Sequence, residues 1–147
     1  MSVTPRRIYL DTNAVIYYAE AHPILGPPVE AILLAAANGL LSIVASELCL
    51  AEALVLPLRL GQTQLVEAYE NLLTSRPNFV VWPVSRAVLV GSAQLRASQR
   101  IKTPDAIHIA TALAANCTHL VSEDGFQVPS ALTKVLVSDA LSALQLS

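Results

Sequence analysis

Short β-prone runs at residues 7–10, 41–45, 79–84 and 119–122 alternate with longer helix-type segments, and a fifth run follows at 134–137. No other feature of the chain restricts its fold as much. Apart from the charged or polar ends and Ser42, the runs are apolar throughout, which is the pattern of strands buried on both faces. Strands of that kind, separated by helices, imply a parallel sheet covered by helices on each side. The expected fold is a three-layer α/β/α domain around a central, mostly parallel sheet of four to five short strands.

The helix boundaries carry their own signals. Asp11-Thr12-Asn13 opens a helix expected to reach residue 21, and Pro27-Pro28 precede another at 29–37. That second helix stops at Asn38-Gly39, a pair suited to a left-handed C-cap. Ser46 is a good N-cap for the next helix, which Pro57 ends or kinks. Residues 63–74 and 85–100 read as helical. Thr103-Pro104-Asp105 combines a capping hydroxyl, a proline at the first helical position and an acid in the first turn, starting a helix expected to reach residue 115.

With 147 residues, 54% of them apolar and 14% charged, the chain is long enough for one domain spanning 1–147 and too apolar for disorder. A mean hydropathy of +0.54 raises the question of a membrane span. The best candidate, residues 29–45, is broken by Glu30, Asn38-Gly39 and Ser42, so no span is expected. After Arg6-Arg7 only three apolar residues precede Asp11, too few for a secretory signal, and a cytoplasmic protein is expected. Cys49 and Cys117 match no metal or redox spacing and read as free, buried thiols.

The net charge of −2 is uninformative, but its distribution is not. No acid lies between Glu70 and Asp105, whereas Arg76, Arg86, Arg96, Arg100 and Lys102 do, five of the nine basic residues. On one helix Arg86, Arg96 and Arg100 would share an arc of about 80°. Such a face is either solvated surface or a phosphate-facing patch. Because Arg100 and Lys102 immediately precede Asp105, Arg96, Arg100 and Lys102 are the candidate phosphate contacts.

The four aspartates are Asp11, Asp105, Asp124 and Asp139. Asp11 closes the first strand and Asp124 follows the fourth, so both point beyond the carboxyl ends of a parallel sheet, where ligands bind. Taken singly, Asp11 is an N-cap, Asp105 a dipole-compensating residue and Asp124 a turn former before Gly125. Glu52 has no such simple account. It lies in a helix apolar almost all round, where an unpartnered carboxylate would be desolvated at a cost of several kcal/mol or become protonated. Periodicity does not say which way it faces. One assumption accounts for all four positions: Asp11, Glu52, Asp105 and Asp124 converge around a divalent cation. An all-carboxylate cluster suits Mg²⁺ or Mn²⁺ and can serve phosphodiester hydrolysis.

Four segments carry a resemblance. Asp11-Thr12-Asn13 after a strand, Ser46 six residues before Glu52, the run from Pro104-Asp105 to Ala112, and Leu120-Val121-Ser122-Glu123-Asp124-Gly125-Phe126 together resemble the PIN-domain ribonucleases, in particular VapC-like toxins of toxin–antitoxin pairs. The resemblance implies a PIN-like fold and a Mg²⁺- or Mn²⁺-dependent endoribonuclease. A homodimer inhibited by a cognate antitoxin is implied as well. Matched by motif, Asp11, Glu52, Asp105 and Asp124 are catalytic, with Asp11, Asp105 and Asp124 on the metal and Asn13 and Ser122 as supporting polar groups. Glu123 stands where a neutral polar residue is usual, as either a competing ligand or a bystander. His108, three residues after Asp105, reads as a packed, hydrogen-bonded histidine. The alternative reading is a catalytically silent PIN-like module that binds RNA or protein. A phosphoacceptor domain or a haloacid-dehalogenase-type phosphatase fits less well, because Thr12 and Asn13 follow Asp11 where each would place a second acid.

Overall fold

The computed structural model describes residues 5–146. Its strands are β1 (Arg6–Leu10), β2 (Leu41–Ser46), β3 (Phe79–Trp82), β4 (His119–Val121) and β5 (Thr133–Val135). They form one sheet in the order β3-β2-β1-β4-β5, parallel at every pairing, with Ile8 of β1 opposite Ile43 on one side and His119 on the other. The helices are α1 (Thr12–Ala19), α2 (Gly26–Ala37), α3 (Leu48–Ala53), α4 (Val55–Arg59), α5 (Thr63–Leu72), α6 (Arg86–Ser98), α7 (Thr103–Ala114) and α8 (Ala140–Ala143), the last preceded by a 3-10 turn (Val137–Asp139).

The three layers follow from the period-2 geometry of the central strands. Ile8 and Leu10 of β1, with Ile43 and Ala45 of β2, pack on α1 and α2 through Val15, Val29 and Ile32. Tyr9 and Val44 point the other way, onto Ile109 and Ala112 of α7. The expected three-layer α/β/α architecture is therefore the one observed. The chain proceeds outward from β1 through β2 to β3, then returns to place β4 on the other side of β1. The crevice beyond the carboxyl ends of β1 and β4 is thus the topological switch point.

Several boundaries differ from the sequence reading for identifiable reasons. The helix after Ser46 breaks at Leu54, between α3 and α4. Pro57 has no N–H for the carbonyl four residues earlier, on Ala53, and its ring would crowd that oxygen. Ser46 ends β2 rather than occupying the N-cap position, yet its hydroxyl still accepts the Leu48 N–H at 3.0 Å. Thr103 is not a cap: Lys102 holds that position without a side-chain hydrogen bond, so Pro104 and Asp105 fall one place deeper in the first turn. α6 ends at Ser98, and Gln99 is extended (φ −154°, ψ 160°), so Arg100 lies off the helix. The arc of Arg86, Arg96 and Arg100 on one helix does not form.

Cys49 and Cys117 are free and buried, and burial pushes each thiol up to about 12. Among the described residues no helix is long and apolar enough to cross a membrane.

α2 ends as the sequence indicates. Asn38 is the C-cap and Gly39 adopts φ +76°. The Leu40 N–H reaches the Ala35 carbonyl at 2.9 Å and the Gly39 N–H the Ala36 carbonyl at 3.0 Å, the paired bonds of a Schellman motif. A side chain at Gly39 would meet open space, so its penalty is conformational rather than steric. Gly39→Ala is expected to lower stability by about 1 kcal/mol, measured by urea unfolding. Gly125→Ala, also in open space but without the left-handed backbone, is the control and should stay within about 0.5 kcal/mol of the parent.

Candidate active site

Asp11 sits at the end of β1 and is only 3% exposed. Its N–H continues the ladder to β4 by donating to the Val121 carbonyl at 3.1 Å. Its carboxylate caps α1, Oδ1 accepting the Thr12 N–H at 2.7 Å, while Oδ2 accepts the Ser122 hydroxyl at 2.7 Å. The N-cap role and the site role are thus held by one side chain.

Ser122 links two acids. Its hydroxyl donates to Asp11 and accepts the Asp124 N–H at 3.0 Å. Asn13, in the first turn of α1, donates its amide to Asp124 Oδ1 at 2.8 Å. Lys134 of β5 donates to the Asp124 backbone carbonyl rather than to its carboxylate. Glu123 turns outward, accepting the Ser138 N–H at 2.9 Å.

Glu52 projects from α3 toward the same end of the sheet. Its Oε1 accepts the Thr12 hydroxyl at 2.6 Å and lies 2.7 Å from His108 Nε2, with the side chain 32% exposed. His108, 1% exposed, is hydrogen-bonded at both nitrogens. Nε2 faces Glu52, Thr12 at 3.1 Å and Asp11 at 3.4 Å, while Nδ1 meets the Tyr9 hydroxyl at 2.5 Å. With carboxylate oxygen on the Nε2 side, that nitrogen carries a proton and donates it to Glu52. Burial alone would lower the His108 pKa, but the Glu52 hydrogen bond and the charges of Asp11 and Glu52 outweigh it, and the net shift is upward. For Glu52, burial opposes ionisation, and the bonds from His108 and Thr12 more than compensate, lowering its pKa.

Asp105 enters from the first turn of α7, half-buried, with no hydrogen bond to its carboxylate among the described residues. Burial, followed by the charges of Asp11 and Asp124, raises its pKa. No Lys or Arg forms an ion pair with Asp11, Glu52, Asp105 or Asp124 among the described residues; His108 pairs with Asp11 and Glu52 alone. Hard oxygen donors that repel one another, with no basic partner at Asp105 or Asp124, fit a divalent cation. Among the described residues no three acids or histidines close into a ready cage. Mg²⁺ does not need one, since it keeps several waters and is bound through one or two carboxylates.

Arg96 is engaged with its own loop, Nε donating to the Ile101 carbonyl at 3.1 Å. Arg100 and Lys102 line an open cleft that has Asp105 in its wall. Arg76 lies elsewhere, its guanidinium 3.9 Å from the Phe79 ring centroid and bonded to the Leu72 carbonyl. Sequence reasoning missed Thr12 and Tyr9. A tyrosine in an otherwise apolar buried strand was the available sign, because a buried phenol needs a polar partner.

This chain belongs to the PIN domain family, which matches residues 8–127. No curated protein matches its sequence. Among solved structures, VapBC2 of Rickettsia felis bound to a promoter DNA fragment is similar at a TM-score of 0.64 and 21% identity, over 88% of this chain and 98% of that chain. VapC20 of Mycobacterium tuberculosis, a sarcin–ricin loop cleaving toxin, gives a TM-score of 0.63 at 16% identity, over 80% and 90% of the two chains. A toxin–antitoxin complex from Klebsiella pneumoniae gives 0.61 at 19%, over 86% and 98%. At these identities the likeness is one of fold.

The raised pKa of Asp105 has a consequence for stability. Its stabilising contribution is complete below the ordinary aspartate range and is lost as pH rises through the raised folded value. In metal-free buffer at neutral pH, Asp105→Asn is therefore expected to melt above the parent, and the gain should vanish on acidification below about pH 4. Adding Mn²⁺ should raise the melting temperature of the parent more than that of the variant. Thermal melts with and without EDTA across pH check both outcomes.

Proposed function

We propose that this PIN domain is a metal-dependent endoribonuclease acting on single-stranded or structured RNA and is the toxin of a toxin–antitoxin pair. The observation that supports the reading is Asp105, whose pKa is raised by burial and then by the charges of Asp11 and Asp124, and which has no Lys or Arg ion pair among the described residues. Asp11, Asp105 and Asp124 would hold Mg²⁺ or Mn²⁺. When bound, such an ion supplies Lewis acidity toward a phosphodiester oxygen and lowers the pKa of a water.

The chain's own residues prepare that chemistry. Ser122 and the Thr12 N–H fix the Asp11 carboxylate, and Asn13 fixes Asp124. His108 and Thr12 hold Glu52 by Oε1, and the lowered pKa keeps its carboxylate ionised. Glu52 Oε2, which makes no described hydrogen bond, is the acceptor for a proton from the attacking water. Acids repel an RNA backbone, so affinity comes from the basic lip of Arg100 and Lys102 beside Asp105, with Arg96 behind it bracing the loop.

The exposed apolar side chains of α4 and the residue after it support the partner half of the reading. Val55, Leu56, Leu58 and Leu60 are each at least half exposed, Leu58 by 61%. A run of this kind is suited to burial against a second copy and against an antitoxin segment.

Asp11→Asn and Asp105→Asn are expected to fold and to lose RNA cleavage in Mg²⁺ or Mn²⁺ by at least about a hundredfold; folded variants cleaving like the parent would refute the metal-site reading. Arg100→Ala with Lys102→Ala should weaken RNA binding similarly across sequences and flatten its salt slope by roughly 0.7 per lost phosphate contact. An unchanged slope would place the RNA path elsewhere. Sedimentation at micromolar concentration should show a species larger than the monomer or a co-purifying partner.

A further inference from the structure

The cleft beside the carboxylates has more in it than charge. Its volume is about 430 Å³, and it lies between the loop joining α6 to α7 and the loop joining β4 to β5. Gln99, Arg100 and Lys102 form one side, Phe126 and Gln127 the other, and Asp105 belongs to its wall. The carboxamides of Gln99 and Gln127 make no hydrogen bond among the described residues, so each presents an uncommitted donor beside an uncommitted acceptor.

Both sides are held in place by contacts outside the cleft. Gln99 leaves α6 in an extended conformation, and residues 99–102 run on from it along that side of the cleft. Arg96 then fixes that loop through the Ile101 carbonyl. On the other side, Phe126 packs against the core cluster of Tyr9, Ile109 and Leu120, and the Lys134 amine lies 5.1 Å from its ring centroid. A recess with pinned walls binds without first having to order them.

We propose that this cleft seats the base of the nucleotide flanking the cleaved phosphate and gives the chain a base preference. The proposal rests on the nuclease reading. Arg100 and Lys102 suit the phosphate, which carries no sequence information. Sequence is read on base edges, and adjacent donor and acceptor groups of a carboxamide can bond a base edge in a bidentate manner. Phe126 supplies the apolar wall for a base that is unstacked, as bases in single strands and loops are. A phosphodiester held at Asp105 has its neighbouring nucleotide within this recess.

The test uses single-stranded RNAs that differ only in the bases on either side of the cut. Cleavage in Mn²⁺ and binding in EDTA, by fluorescence anisotropy, are compared for the parent, Gln99→Ala, Gln127→Ala and the near-isosteric Gln127→Leu. The parent should favour one flanking base by about tenfold, and each variant should reduce that to less than about threefold, the loss expected for one base-reading side chain. Indifference of the parent to the flanking base, or variants that keep its preference, would overturn the proposal. If the parent cleaves no RNA at all, the nuclease reading fails separately. The binding arm then decides: discrimination lost in the variants supports the base cleft, and equal binding of all sequences overturns it.

Discussion

A carboxylate that is almost wholly buried at the end of the central strand sets the terms for the rest of this structure. Asp11 needs donors, and they come from three different elements: the Thr12 N–H of α1, the Ser122 hydroxyl beyond β4 and, at longer range, His108 of α7. Ser122 and His108 arrive because the chain runs out from β1 and returns beside it. The switch-point topology is therefore what makes a buried acid tolerable there. His108 extends the arrangement, tying Tyr9 on the sheet to Glu52 on α3 through its two nitrogens. Removing one partner from so buried a set would leave another unsatisfied, at a cost of about 1–3 kcal/mol.

The same acid is satisfied on one side and repelled on the other. Ser122, Thr12 and His108 approach from within the fold, whereas the charges of Asp11 and Asp124 bear on Asp105, which has no basic ion-pair partner among the described residues. Asp105 carries the imbalance as a raised pKa. An arrangement of this kind lowers the stability of the fold, and the proposed divalent cation would relieve it. Function and stability thus pull against each other at one location, as is common for active sites.

Much of this was legible in the sequence, and the failures are informative. The positions of Asp11 and Asp124 beyond the sheet are legible because each follows a buried strand. The place of Asp105 in a first helical turn is legible because Thr-Pro-Asp marks a helix start, even though Thr103 is not its cap. Glu52 was identifiable as anomalous, but its direction was not, since α3 is apolar on nearly every face. What turns it is a hydroxyl and an imidazole 40 and 56 residues away in sequence. The end of α6 before Arg100 is not legible, because residues 99–102 contain no glycine or proline. The break comes instead from the extended Gln99 and the short connection to α7. Tyr9 and Thr12 went unnoticed because their partners are defined only by the fold.

Asp11, Asp105 and Asp124, and not some other part of the surface, are the proposed seat of a divalent cation. Crystals of the protein grown with Mn²⁺ and measured for anomalous scattering test it most directly. A peak is expected in the crevice, contacted by carboxylate oxygens of Asp11, Asp105 or Asp124, with Glu52 still bonded to Thr12 and His108. That peak should be absent in Asp105→Asn. An empty crevice at millimolar Mn²⁺, or a peak that persists unchanged in the variant, would contradict it.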